Sequence, residues 1–252
     1  MEHKMPLTGK TALVTGSARR VGAEIVRTLH AAGAHCMIHY QHSKTAALAL
    51  QAELEALRPG STATIEADLR DTATLGALVE QTTLRFGSLD VLVNNASTFY
   101  PTPFGEITTA HWDDLLGSNL KAPLFLTQAA APALRRAHGL VINIVDIHGM
   151  RPLRRYPVYS VAKAGLIMLT QSLARELAPD VRVNGIAPGP VMWPEDAATD
   201  VEMQQNIIAR TLLKRVGSAQ DIARAALFFA ADAPFVTGQV LAVDGGRSVG
   251  GG

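Results

Sequence analysis

Thr11-Ala12-Leu13-Val14-Thr15-Gly16-Ser17-Ala18-Arg19-Arg20-Val21-Gly22 reads as a short apolar strand that ends in a glycine turn and passes directly into a helix. Outward from this stretch the same alternation recurs. Short β-rich apolar runs stand at Thr11–Thr15, Cys36–His39, Ala63–Glu66, Val91–Asn94, Leu140–Val145, Val181–Ile186 and Val240–Val243. Segments of helical length and period lie between them at Val21–Ala32, Lys44–Leu57, Asp71–Phe86 and Val158–Leu177. Gly33 closes the first helix, Pro59-Gly60 the second and Gly87 the third.

Strands alternating with helices predict a parallel sheet covered on both faces, because a right-handed crossover lays each helix back onto the sheet. The expected fold is therefore α/β: a Rossmann-type doubly wound, seven-stranded parallel sheet with helices on both faces. At 252 residues the chain suits one such domain over 1–252. Connections are short until about 188–201, where Pro188, Pro190 and Pro194 interrupt regular structure. A loop of that length in a compact domain reads as a lid over substrate.

Composition narrows the partners. With 23 basic and 22 acidic residues the net charge is +1, so no global field would gather nucleic acid or an anionic membrane. Small molecules are the expected partners. Cys36 is the single cysteine, which fits a reducing compartment, and Met-Glu-His-Lys-Met-Pro at the start has no apolar signal core. The expected location is cytoplasmic. The eight histidines form no metal-ligand spacing, so no metal is expected.

The first turn carries chemistry. Backbone N–H groups at a helix start, with glycine allowing close approach, suit a pyrophosphate, and Gly16, Arg19, Arg20 and Val21 supply that turn. NAD enzymes place an acid at the end of the second strand to bond the adenosine ribose. Here the place reads His39-Tyr40-Gln41-His42-Ser43-Lys44, with no carboxylate to repel a 2′-phosphate and with donors at His42, Ser43 and Lys44. NADPH is the cofactor expected, the alternative being a solvated polar loop. Asp68 and Leu69 follow the third strand, where the carboxylate either accepts from an adenine amino group or caps the next helix.

Tyr159-Ser160-Val161-Ala162-Lys163 sets a phenol and an ammonium four residues apart on one helix face. A nearby cation is expected to lower the tyrosine pKa and ready it for proton exchange. The pair opens the helix after the fifth strand, at the carboxyl edge where α/β sheets bind ligands.

From about residue 8 to residue 248 the chain resembles the short-chain dehydrogenase/reductase family. The turn at Thr15, Asn94-Asn95-Ala96, Asn119, the Tyr159/Lys163 pair and Pro188-Gly189 stand in that family's order. The resemblance implies that Tyr159 is the proton donor, that Lys163 binds the nicotinamide ribose and tunes the tyrosine, and that Asn119 holds a water in the proton relay. A helix-interior asparagine with a structural bond is the alternative for Asn119. It also implies that Asn94 closes its strand beside the adenine ribose, that Asn95, Ala96 and Ser97 face the cofactor, and that Pro188 and Gly189 line the nicotinamide. Family relatives are commonly tetramers, and an apolar helix over Ala223–Ala231 with a strand over Gly238–Asp244 would supply the interface.

Three departures from the general family matter. Arg20 replaces the middle glycine of the turn, Asp146 replaces the serine thirteen residues before the tyrosine, and Ser97 replaces the glycine after Asn-Asn-Ala. Together with Asn94-Asn95-Ala96-Ser97-Thr98-Phe99-Tyr100-Pro101-Thr102-Pro103 and His39-Tyr40, they resemble the pteridine reductase subfamily. The resemblance implies NADPH-dependent reduction of a pterin or folate at a C=N bond. Phe99 would stack on the flat ring, Arg20 and Ser97 would bond its polar edge, and Asp146 would orient Tyr159 and pass a proton through it. Phe99 as core and Asp146 as a structural acceptor are the competing readings. Arg151, Arg154 and Arg155 read as an attractor for a glutamate tail or as a solvated basic face, and Trp193 as a cover over substrate or as loop packing. His148 fills the pocket edge. The rival functions are a carbonyl or 3-oxoacyl thioester reductase on the same fold, and a redox-sensing protein that holds NADP without turnover.

Overall fold

Side-chain alternation along the central strands decides the layers. Ala12 and Val14 of β1 (Thr11–Val14) and Cys36 and Ile38 of β2 (His35–Tyr40) are buried on one face, while Leu13 and Met37 are buried on the other. A strand apolar on both sides must be covered on both sides. The structure, a computed structural model, describes residues 5–192 and 201–250.

Chain order continues with α1 (Arg20–Ala31) between those strands, then α2 (Lys44–Leu57), β3 (Thr62–Glu66), α3 (Leu75–Phe86), β4 (Val91–Asn94) and α4 (Thr109–Leu116). A π-helical segment, Gly117–Lys121, joins α4 to α5 (Ala122–Ala137). After β5 (Leu140–Ile144) come a 3-10 turn, Ile147–Gly149, and α6 (Pro157–Leu177). Then follow β6 (Arg182–Pro188), α7 (Val201–Ala209), α8 (Ala219–Ala231) and β7 (Val240–Val243). The seven strands are all parallel in the order β3-β2-β1-β4-β5-β6-β7. One face carries α1, α2 and α8, with Ile25, Leu29, Leu54, Ile222 and Phe229 in its core. The other carries α3, α5 and α6, with Leu78, Leu126, Leu134 and Leu177.

The expected fold is the one observed, with strand ends shifted by a residue or two. The third helix is shorter than the expected Asp71–Phe86: residues 71–74 form turns, and α3 begins at Leu75. The helices over 109–137 were not legible because Pro123 and Pro132 break up an alanine-rich stretch. Fully buried Asn119 interrupts them locally, since its Nδ2 donates to the Leu115 carbonyl four residues back and competes with the helical ladder.

Strand order reverses between β1 and β4, so a crevice opens outside their carboxyl ends. Of the expected lid at about 188–201, Pro188 is the last residue of β6, α7 begins at Val201, and 193–200, including Trp193, lie outside the described residues. No described helix is long and apolar enough to cross a membrane.

Candidate active site

The turn after β1 is built by close approach. A Cβ on Gly16, at φ 59°, would stand 2.8 Å from Ala96 Cα. One on Gly22 would stand 2.6 Å from both Asn95 Nδ2 and the Gly16 carbonyl. Asn95 Nδ2 donates to the carbonyls of Thr15 and Gly16 at 2.8 and 3.0 Å, so the β4 loop clamps the turn. Arg20, where the family has its middle glycine, takes a left-handed φ of 55°, an uncommon conformation for a side-chain-bearing residue.

This turn is one wall of a cleft of about 610 Å³. The cleft gathers thirteen of the expected cofactor residues: Gly16, Arg19, Arg20, Val21, His39, Tyr40, His42, Ser43, Asp68, Leu69, Asn95, Ala96 and Ser97. Gln41, Ala67, Arg70, Thr98 and Ser118 line it as well. Pro188 and Gly189 are not on this wall, and the Gly189 N–H donates to the Val243 carbonyl at 3.1 Å.

His39 has a structural task that the sequence did not reveal. Its Nδ1 accepts from the Gly16 N–H at 3.0 Å, which leaves Nε2 to donate to the Ala67 carbonyl at 3.1 Å. Burial holds its pKa down at about 4, so the ring is neutral and braces the turn against β3. Of the expected donors in that loop, exposed His42 and neighbouring Ser43 line the cleft, and Lys44 does not. Asp68 accepts from both the backbone N–H and the guanidinium of Arg70, which holds its pKa below the usual carboxylate range. It does not cap α3, which starts at Leu75.

Asn94 ends β4 as expected, and its side chain is not on the cleft wall. It is buried, and its Nδ2 donates to Asn143 Oδ1 at 2.8 Å and to Thr127 Oγ1 at 3.2 Å. Asn143 in turn donates to Thr170 Oγ1 at 2.9 Å, completing a polar ladder across β4, β5 and α6.

The second half of the site stands at the end of β5 and the start of α6. Tyr159, on α6, donates to Asp146 Oδ2 at 2.7 Å, and Asp146 Oδ1 accepts the His148 N–H at 2.8 Å. Lys163, one turn further along α6, is 2% exposed and donates to the Ile144 carbonyl at 3.0 Å. Its Nζ lies 5.6 Å from the Tyr159 ring centroid. The expected depression of the tyrosine pKa is reversed here. Burial and the Asp146 carboxylate push the phenol well above its usual value, with only a hydrogen bond to Ser97 opposing them. Burial lowers Lys163 to about 8, Asp146 working in the other direction.

Ser97 joins the two halves, since it lines the cleft, opposes the upward shift of Tyr159 and donates to Asn119 Oδ1 at 2.6 Å. The Asn119 amide also donates to the Thr98 and Leu115 carbonyls, so protein groups fix the orientation of its side chain.

Phe99 is 45% exposed and so is not core. It stacks on Tyr156 at 4.6 Å and meets Tyr159 edge-on at 4.8 Å. Tyr156 was missed in the sequence; its position three residues before Tyr159, at the helix start, was the available signal. Arg151, Arg154 and Arg155 are exposed, Arg151 donating to the Gly250 carbonyl at 3.2 Å.

A family model described as enoyl-(acyl carrier protein) reductase matches residues 16–248. Pteridine reductase 1 of Leishmania tarentolae is 36% identical, covering 96% of this chain and 97% of that protein. The 3-oxoacyl-[acyl-carrier-protein] reductase FabG of Staphylococcus aureus is also 36% identical, covering 94% of this chain and 97% of its own. Among solved structures, a blue fluorescent protein from a metagenomic library in complex with NADPH matches with a TM-score of 0.90 at 37% identity, over 96% of this chain and 99% of that one.

Proposed function

Because the chain belongs to the short-chain dehydrogenase/reductase family and is one of its NADPH-using reductases, we propose that it reduces pterins, taking a dihydropterin or dihydrofolate to the tetrahydro form. The observation that carries this reading is the Asp146 carboxyl bonded to the Tyr159 phenol at 2.7 Å, beside the half-exposed ring of Phe99. Reducing C=N leaves a ring nitrogen to be protonated, and a carboxyl behind the phenol is a group that can resupply the proton.

NADPH fits the cleft on local grounds. The turn leaves no room for side chains at Gly16 and Gly22, His42 and Ser43 face in, and the acid among the cleft residues, Asp68, is paired with Arg70. The turn residues Arg19, Arg20 and Val21 would hold its phosphates, His42 and Ser43 the 2′-phosphate, and Lys163 the nicotinamide ribose. When bound, NADPH supplies hydride to the C=N carbon.

Tyr159 delivers its phenolic proton to the ring nitrogen. Burial and Asp146 keep that proton in place until a stronger acceptor arrives, which suits a donor in the reductive direction. Half-buried Asp146 takes a replacement from solvent and returns it, while the Lys163 ammonium offsets the transient phenolate charge. Arg20 and Ser97 bond the polar edge of the pterin, and Phe99, backed by Tyr156, offers its ring to the face. The reading extends to a cytoplasmic homotetramer acting in folate or pterin metabolism. Exposed Phe228, Phe235 and Leu241 near edge strand β7 support an interface there.

The test is a head-to-head assay of NADPH oxidation with dihydrobiopterin and dihydrofolate against ketones and a 3-oxoacyl thioester. Pterin turnover with kcat/KM at least tenfold above the ketones is expected, roughly 1.4 kcal/mol of discrimination. Efficient thioester reduction without pterin turnover would overturn the pterin reading in favour of the FabG-type alternative.

A further inference from the structure

Arg70 follows Asp68 and Leu69 out of β3 and joins three parts of the molecule. Its Nε and one terminal nitrogen donate to the two carboxylate oxygens of Asp68 at 3.0 and 2.8 Å. The other terminal nitrogen donates to Asp114 Oδ1 on α4 at 2.9 Å. The second oxygen of Asp114 accepts from the Tyr100 hydroxyl at 3.0 Å, and Tyr100 directly follows Phe99. The stem of Arg70 lies over Gly117, where an added Cβ would be 3.6 Å from its Cγ. Gly117 opens the π segment, in which Ser118 bonds the Thr98 hydroxyl at 2.6 Å and Asn119 accepts from Ser97. All three of these tethers of the 97–100 loop therefore start from the 114–119 stretch that Arg70 ties to the cleft.

We infer that Arg70 is a positioning residue that couples filling of the adenosine end of the cleft to the placement of the Ser97–Tyr100 loop. The inference rests on reading the cleft as the NADPH seat. One exposed ion pair is worth little, but a planar guanidinium holding two carboxylates sets the angle between them. A ligand that engages Asp68 shifts the fork, the fork shifts Asp114, and Asp114 carries Tyr100. By linkage, loosening the loop weakens the cleft by the same factor. Charge alone would not do this: lysine keeps the charge and loses the fork.

The experiment titrates NADPH by fluorescence, without substrate, into the parent, Tyr100→Phe, Arg70→Lys, Arg70→Gln and the Tyr100→Phe/Arg70→Lys double variant. Tyr100 is not on the cleft wall. Tyr100→Phe is expected to weaken NADPH binding roughly two- to fivefold in the parent and to have no effect once Arg70 is lysine, the signature of coupled sites. Arg70→Lys should resemble Arg70→Gln, and in turnover each should raise substrate KM more than it lowers kcat. Independent, multiplying effects, or rescue by lysine, would overturn the coupling and leave the reductase assignment intact. A parent that does not bind NADPH would overturn both. Coupling in a parent that reduces only ketones would support the role of Arg70 and remove the pterin reading alone.

Discussion

At the scale of the residue, Lys163 and Arg20 show function held against stability. Lys163 is buried with its pKa lowered from 10.5 to about 8, mainly by desolvation. Below pH 8 the folded chain carries a charge there that the unfolded chain carries in water, a penalty on the order of 3 kcal/mol. As pH rises from 8 to 10.5 the folded state is neutral and the unfolded state still protonated, so this penalty fades. Lys163→Met should therefore raise the Tm of the ligand-free chain at pH 7, with an advantage that shrinks above pH 8, and should abolish turnover. Thermal melts across that pH range check it, and a Tm that falls at pH 7 would mean the Ile144 contact outweighs the desolvation. Arg20 occupies a left-handed φ that glycine adopts without strain. Arg20→Gly should relieve about 1 kcal/mol and raise Tm by roughly 2–4 °C. It should also lower kcat/KM for dihydropterin roughly ten- to a hundredfold through the lost charged hydrogen bond. An unchanged kcat/KM would remove Arg20 from the substrate site.

At the scale of the element, the joint between β1 and α1 depends on how closely the helix start meets the β4 loop. The added methyl of Gly22→Ala would stand 2.6 Å from Asn95 Nδ2 and 2.7 Å from Ser17 Cα, so backbone must move. Such overpacking costs about 1–3 kcal/mol. The expected outcome is a Tm lower by several degrees and a tenfold or greater loss of NADPH affinity, read by calorimetry and titration. Normal affinity would show that the turn can relax without harm to the cleft. The glycine spacing made this joint legible from sequence, whereas the π segment was not, because its cause is the Asn119 amide bonding the Leu115 carbonyl inside an otherwise ordinary helical stretch.

At the scale of the whole molecule, any ligand that binds only the folded chain stabilises it by mass action. At about one hundred times its Kd, NADPH should add roughly 2.7 kcal/mol, and NADH at equal concentration clearly less. His42→Ala should narrow the difference. Equal Tm shifts for the two cofactors in the parent would place the 2′-phosphate elsewhere or remove the preference. What the sequence by itself determined was the set of features written in local spacing: strand–helix alternation, the glycine turn, the acid-free loop after β2, the Tyr159/Lys163 step along one helix, and the exchange of serine for Asp146. Tertiary structure alone decided the features that depend on distances between separate strands and helices. It turned His39 into a brace, drew Asn94 into a buried ladder, set Tyr156 against Phe99, and joined Asp68 to Asp114 through Arg70. It also reversed the sign of the Tyr159 shift, because burial and a carboxylate 2.7 Å away raise it while the Lys163 ammonium is turned to the Ile144 carbonyl, and neither burial nor distance is written in a four-residue spacing.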